Sequence, residues 1–380
     1  MLLKITPLDT LFFRNARPFN MGFETWAEWV FPPLPSTIYG ALRTFLIFEH
    51  GKLSDFLAGT LSNQDEVGTV IKKGSLTLNG PFIYNEDSVG SLLFPAPADL
   101  VKVKLKEKKR KKYKLVKTSF CNVPEIFLSD YPLDKCLIFK KQLKTKDHLG
   151  FIDDISLKEY LEGKKEEFSC IEQIFKEELK IGIKRNKHTK TSEEAHIYRV
   201  PMLRLKKNIC FLIEINGVKN FPNRGIFQFG GEGKTVEFEK IDNSNVFESL
   251  KDIDFELKDN MFKLYFVTPA IFEKGWLPSW INESTFEGEY KGINLKLIAV
   301  SIKKYKLVGG WNVAENRPKK MYKAVPEGSV YYFKVLNSIT KERIKEIFHF
   351  KKISDEFQNT AENYKFLSKE GFGLVLVGGI

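Results

Sequence analysis

Cysteine is scarce in this chain: there are four in 380 residues, at Cys121, Cys136, Cys170 and Cys210. No two make a Cys-x-x-Cys pair, so neither a zinc site nor a disulfide framework is indicated. Histidine is nearly as rare. His50, His148, His188, His196 and His349 show no His-Glu-x-x-His or other ligand spacing, and HD-type and cyclase-type motifs are missing as well. No apolar run approaches the ~20 residues that span a bilayer. The opening MLLKITPLDTLFFRNARPF lacks a signal-peptide core. These absences lead to the expectation of a cytoplasmic protein with no membrane contact, no metal, no cofactor and no catalytic residue.

Nucleotide signatures fail too. In GIFQFGGEGKTVEFEK, residues 225–240, a Walker A loop would need glycine where Gln228 stands. The dinucleotide fingerprint fails on glycine spacing, and the loop leads into the alternating Val236 and Phe238 instead of a helix. What remains is a glycine-rich backbone that a ligand can approach closely, with a cation, Lys234, beside it. That is a place for a phosphate, or a hairpin turn with no ligand.

Positive charge is abundant. The net charge is +12, and residues 102–117, KVKLKEKKRKKYKLVK, hold ten basic residues against one acidic. Such a balance favours a polyanionic partner. Alternation in the flanks of this run suits a β-hairpin with a charged tip. The charge density suits a disordered loop that orders on a polyanionic partner, which is the expectation adopted for the isolated chain.

Two segments read alike. KITPLDTLFFR (4–14) and YFVTPAIFEKGW (265–276) are each an apolar strand stopped by Thr-Pro. They suggest two similar domains, 1–250 and 251–380. In FPPLPSTIYGALRTFLIFEH a proline-rich loop turns into a helix, with Ser36 or Thr37 as N-cap and Ile38, Leu42, Phe45 and Leu46 as its apolar stripe. Strands are expected at 76–84, 197–205, 209–215, 262–267, 295–302 and 330–335, with a helix over 341–350 and a closing strand in GFGLVLVGGI. Residues at about 100–195 read as an insertion in the first domain, helix-prone over 156–180. Many strands with few helices imply an α+β fold of the split βαβ type.

Eight segments in chain order carry a resemblance: PLDTLFFRNARPF, FPPLPSTIYGALRT, TKTSEEAHIYRV, FGGEGK, VTPAIFEKGWLP, GGWN, AVPEGSVYYF and GFGLVLVGG. Together they resemble the family of third subunits of the Cmr complex, the type III-B CRISPR effector, within the RAMP superfamily. The match thins between residues 100 and 180. The resemblance implies two ferredoxin-like, RRM-like domains packed face to face and a non-catalytic subunit. It implies binding of the repeat-derived 5′ tag of the CRISPR RNA and docking on the large polymerase-like subunit. A backbone RAMP subunit and, indirectly, target RNA are the further partners, and the glycine loop looks like the RAMP glycine-rich loop.

Candidate RNA contacts follow. A helix terminus at Ser36 and Thr37 facing Gly230, Gly231, Gly233 and Lys234 would seat a phosphate on unpaired N–H groups. Arg43 reaches either a phosphate or Glu49. Arg14 and Arg17 follow the first strand. Lys187, His188, Lys190, Tyr198 and Arg199 combine cations with an aromatic ring suited to single-stranded RNA, Tyr198 being equally suited to a core. Lys319 and Lys320 complete the set. The alternatives are a CRISPR-RNA-processing endoribonuclease using His188 near Lys187 and Tyr198, and a purely structural scaffold.

Overall fold

The computed structural model describes residues 1–16, 26–87, 91–104, 113–123, 133–140, 145, 150–186, 188–242, 245–313, 315–357 and 367–380, with backbone alone at 184–185 and 192–196. The chain forms two compact units. The first gathers Met1–Asp87, Gln173–Asp242 and Leu307–Tyr322; the second gathers Ser88–Glu172, Asn243–Lys306 and Lys323–Ile380. Most of the segment read as an insertion in the first domain therefore packs with the second unit, and a short late segment returns to the first.

In the first unit, β1 (Leu2–Pro7) leads to α1 (Pro35–His50) and β2 (Thr77–Asn85), followed by β3 (Phe175–Arg185), β4 (Ser192–Leu205), β5 (Ile209–Asn216), β6 (Arg224–Gln228) and β7 (Thr235–Ile241). Five strands make an antiparallel sheet in the order β6-β7-β1-β5-β2. Alternation along β1 fixes its faces: Leu3 and Ile5 are fully buried, while Lys4 pairs with Glu86 at 2.8 Å and Glu239 at 2.6 Å. Burial pulls the Lys4 pKa down, but the two carboxylates more than offset it and the net shift is upward. Ile38, Leu42 and Leu46 of α1 are fully buried, as the stripe predicts.

The start of α1 differs from expectation. Leu34 is the N-cap and Pro35 takes the first helical position, with no side-chain cap. Proline's fixed φ suits that position, and its missing N–H costs nothing there. Ser36 and Thr37 thus lie inside the first turn.

The strands β3 and β4 form a separate two-stranded ribbon. Residues 156–180 were expected to be helical, but the helix covers only Asp154–Leu161 and is followed by strand Glu167–Ser169 and then β3. Gly163, at φ +71°, stops the helix. Beyond it the apolar residues Leu179, Ile181 and Ile183 alternate with period two, a pattern masked by helix-favouring Lys and Glu.

In the second unit, β8 (Met261–Phe266), β9 (Ile293–Ser301), β10 (Val330–Val335), α2 (Lys341–Phe348) and β11 (Leu374–Gly378) build a sheet in the order β9-β10-β8-β11, with short strands Glu287–Tyr290 and Lys351–Lys352 on its edges. Phe262 through Phe266 are all fully buried, so β8 is covered on both faces. The N-cap Thr340 accepts the Arg343 N–H at 3.3 Å and starts α2. The expected strands are all present, most with ends moved by a residue or two; β4 begins earlier, at Ser192.

The flanks of the basic run are paired. Leu100–Lys104 lies antiparallel to Tyr113–Lys117, which also pairs with Glu167–Ser169. This corrects the expectation of disorder for those flanks, because buried Val103, Leu115 and Val116 anchor them. Residues 105–112 lie outside the described residues. Among the described residues, no helix is long and apolar enough to cross a membrane.

Candidate nucleic-acid interface

The first unit carries a groove of about 310 Å³ lined by Phe12, Phe13, Arg14, Thr37, Gly40, Ala41, Thr44, Gln228, Gly230 and Gly231. One wall is α1. Thr37, Gly40, Ala41 and Thr44 fall at helical spacings of three and four, so they share a face, and all four are small. A Cβ on Gly40 would meet nothing within 4 Å. The helix therefore turns its large apolar residues to the core and leaves a low wall toward the groove.

The opposite wall is the turn between β6 and β7. Phe229 N–H donates to Lys234 O at 2.8 Å and closes it, while Gly231 N–H donates to Phe12 O at 2.8 Å and fastens it to the first strand's continuation. Gly230 has φ +82°, and a Cβ there would lie 2.5 Å from Phe12 O. Only glycine fits this position. Glu232 and Gly233 also have positive φ, 60° and 66°, and among the described residues neither of their N–H groups meets an acceptor. Successive open amides in such a turn form an anion-binding concavity. The helix end supplies less than expected: Pro35 has no N–H, and that of Thr37 is taken by Leu34 O at 2.9 Å.

The charges beside the turn are balanced. Lys234 Nζ lies 2.6 Å from Asp9 Oδ2, Lys180 lies 2.6 Å from Glu232, and Arg204 grips Glu178 through two bonds of 2.5 and 2.9 Å while reaching Asp9 at 3.1 Å. Hydrogen bonds from Lys234, the Thr10 backbone and Arg204 hold the Asp9 carboxyl at about 2. Three cations thus face three anions. The Lys180–Glu232 pair links the ribbon to the glycine turn.

Of the expected contacts, Arg14, Thr37, Gly230 and Gly231 come together in the groove, Ser36 is their neighbour in the first turn, and Gly233 and Lys234 complete the glycine turn. Arg43 does not join them. Its guanidinium donates to Val67 O at 2.7 Å and Thr69 O at 2.5 Å and lies 4.9 Å from the Phe56 ring centroid. It pins the backbone of Val67 and Thr69. Arg17 and Lys187 lie outside the described residues. At the ribbon's turn, His188 N–H donates to Asn186 Oδ1 at 2.8 Å and Lys190, at φ 60°, donates its N–H to Asn186 O at 3.0 Å.

Tyr198 stands opposite Gly182 in the ribbon register. A Cβ at Gly182 would strike the tyrosine ring at 2.1 Å, so the ring lies across the glycine. It packs with Trp29 on a small core of Phe12, Ala27, Val200 and Met202. Tyr198 is half-buried there. The Arg199 guanidinium lies 5.8 Å from the Trp26 ring centroid. Elsewhere in the unit, Lys319 N–H donates to Gly310 O at 2.9 Å and Lys320 lies 5.3 Å from the Tyr322 ring.

Sequence reasoning missed Phe12, Phe13, Gly40, Ala41, Thr44, Gln228 and Trp26. For the helix the signal was present: small residues recur at helical spacing opposite the apolar stripe. For Trp26 there was none, because its partner Arg199 is brought to it only by tertiary pairing.

Comparison with known proteins agrees with this architecture. The family described as "CRISPR-associated protein (Cas_Cmr3)" matches residues 3–379. A protein of Saccharolobus solfataricus described as "CRISPR system CMR subunit Cmr3" is 23% identical over 343 residues, covering 89% of this chain and 88% of that protein. Among solved structures, a chain of the Type III-B Cmr-beta complex bound to cognate target RNA aligns with a TM-score of 0.53 at 20% identity, over 98% of this chain and 94% of that one. A second, from the complex bound to cognate target RNA and AMPPnP, aligns with a TM-score of 0.52 at 19% identity, over 99% and 96%.

Proposed function

This chain belongs to the Cmr3 family of CRISPR-associated proteins, and from that premise we propose that it is a non-catalytic, RNA-binding assembly subunit of a type III-B Cmr effector working in the cytoplasm. It holds the repeat-derived 5′ tag of the CRISPR RNA and docks on the large polymerase-like subunit and the backbone RAMP subunit, so that target RNA meets it indirectly. The observation that carries this reading is the groove: Gly230 and Gly231 line it together with the small residues of α1, next to the two open amides of the same turn, which suits a phosphodiester backbone.

The fold reading goes with it. In each unit the first strand lies between the last and the third, with the second beyond the third: β7-β1-β5-β2 and β11-β8-β10-β9. That is the order of a ferredoxin-like sheet, and we read both units as such domains. The first keeps the helix between its first two strands, α1, and the second keeps the helix before its last, α2.

The test is binding of tag-bearing and scrambled RNA by the purified chain, alone and with its large partner, with RNA integrity checked on a gel. Tag-selective binding of intact RNA, weakened by Gly231→Glu in the groove, is expected. Cut RNA that stays whole with His188→Ala would replace this reading by the endoribonuclease. Equal weak binding to both RNAs would leave a scaffold.

A further inference from the structure

Tyr198, the aromatic that the sequence offers for base stacking, packs half-buried against the small core, whereas a second ring of the same unit, next to Arg199 on the outward face of the ribbon, stands in solvent. Trp26 is 49% exposed, and Arg199 is held beside it. A parallel bridge joins Trp26 to Arg199, and the next residue, Ala27, donates its N–H to Arg199 O at 3.0 Å. Ala27 is buried against Phe12 in the core that Tyr198 and Trp29 cover. One residue is thereby sunk as an anchor and the adjacent indole is turned out to solvent. Phe12 also lines the groove, so the core that anchors Ala27 and the groove share one stretch of the first unit, and the indole stands out from it. Trp311 is as exposed, at 54%, but among the described residues it has neither a cation at its ring nor a place in that stretch.

We propose that Trp26 is a stacking platform for one unpaired base of a single-stranded RNA whose backbone runs through the groove, with Arg199 beside the ring holding the adjoining phosphate or the base edge. The inference rests on the RNA-binding reading above. Its physical basis is general: every base has a π-face, an exposed indole is the largest ring a protein can offer it, and a neighbouring guanidinium adds cation–π attraction and charge. Because stacking is indifferent to base identity, Trp26 contributes affinity for unpaired RNA without reading sequence. An A-form duplex, whose bases are already stacked, gains nothing from it.

The experiment titrates the full-length chain with a short single-stranded RNA, the same RNA annealed to its complement, and a strand of equal length carrying abasic sites. Wild type is compared with Trp26→Ala and Trp26→Phe, following anisotropy and indole emission, with melting temperatures as a folding control. The alanine variant should bind the single strand roughly 5- to 150-fold more weakly. Its salt slope should be unchanged, because no cation is removed. The phenylalanine variant should retain most of the affinity but lose the part of the emission quenching that comes from Trp26. The duplex and the abasic strand should not distinguish the variants. Equal binding of the single strand by wild type and Trp26→Ala would overturn the platform while leaving the RNA reading standing. A wild type that binds none of the probes would overturn both.

Discussion

The Lys234 ammonium and the Asp9 carboxylate lie 2.6 Å apart beside the glycine turn, so the cation that the sequence offers to phosphate is already matched inside the unit. Asp9→Asn should release it. We expect RNA affinity to rise and the salt slope to steepen by about one phosphate contact. Lys234→Ala should weaken binding only a few-fold. Because Asp9 is held at about 2, a depressed carboxylate, the pair is lost only as pH falls toward that value, and its effect should be flat from pH 5 to 8. Anisotropy across salt and pH series checks all three statements.

The two glycines of the turn should respond differently to alanine. Gly233, at φ +66°, has open space where a Cβ would go, whereas Gly230, at φ +82°, would put it 2.5 Å from Phe12 O. Gly233→Ala should cost about 1–2 kcal/mol of backbone strain. Gly230→Ala should cost more, because the carbonyl that holds Gly231 has to move. Thermal melts should show the larger drop for Gly230→Ala, together with loss of RNA binding.

His349 supplies a pH signature in the second unit. Its Nε2 lies 2.7 Å from Leu250 O, and Val377 N–H donates to its Nδ1 at 3.3 Å. One nitrogen donates and the other accepts, which describes the neutral ring. Burial lowers its pKa below the ordinary 6.5, with Lys345 adding to the effect. The unfolded chain therefore binds the proton more readily, so this contribution is complete above about pH 6.5 and is lost as pH falls below it. Urea melts between pH 7.5 and 5 should show a decline that His349→Gln reduces.

Cys121 and Cys136 face each other in register on the antiparallel strands Ser119–Asn122 and Lys135–Ile138, and both are half-buried. The Cys136 thiol is pushed up by burial and by the neighbouring Cys121. Facing residues on such strands have Cα atoms ~4.5–5.5 Å apart, within reach of a disulfide. A small disulfide oxidant should join these two cysteines by two exchange steps, releasing two thiols. Peptide mapping should find the 121–136 crosslink, whereas Cys210, buried and pushed up to about 12, should stay reduced.

How far the sequence reached depended on whether a signal was local. The strands at 209–216 and 330–335 and the stripe of α1 were legible because burial follows short periods. The ribbon β3 was not, because lysine and glutamate disguised a period of two as helix. The glycine turn was recognised from its residues, but its partner Phe12 and the matching of Lys234 by Asp9 join positions far apart in the chain, which no local pattern encodes. Cys121 and Cys136 looked scattered for the same reason.

The position of β1 in the middle of its sheet sets a timetable for synthesis. Leu3 pairs with Ile213 on one side and Lys240 on the other. At roughly 5–20 residues per second, about 10–40 s separate translation of β1 from that of its first partner. For that interval Leu3 and Ile5 have no sheet to enter, and neither edge of β1 is paired. The first unit can close only late in translation, so the nascent chain should depend on a holding chaperone, and its yield should fall when translation is slowed between β1 and β5.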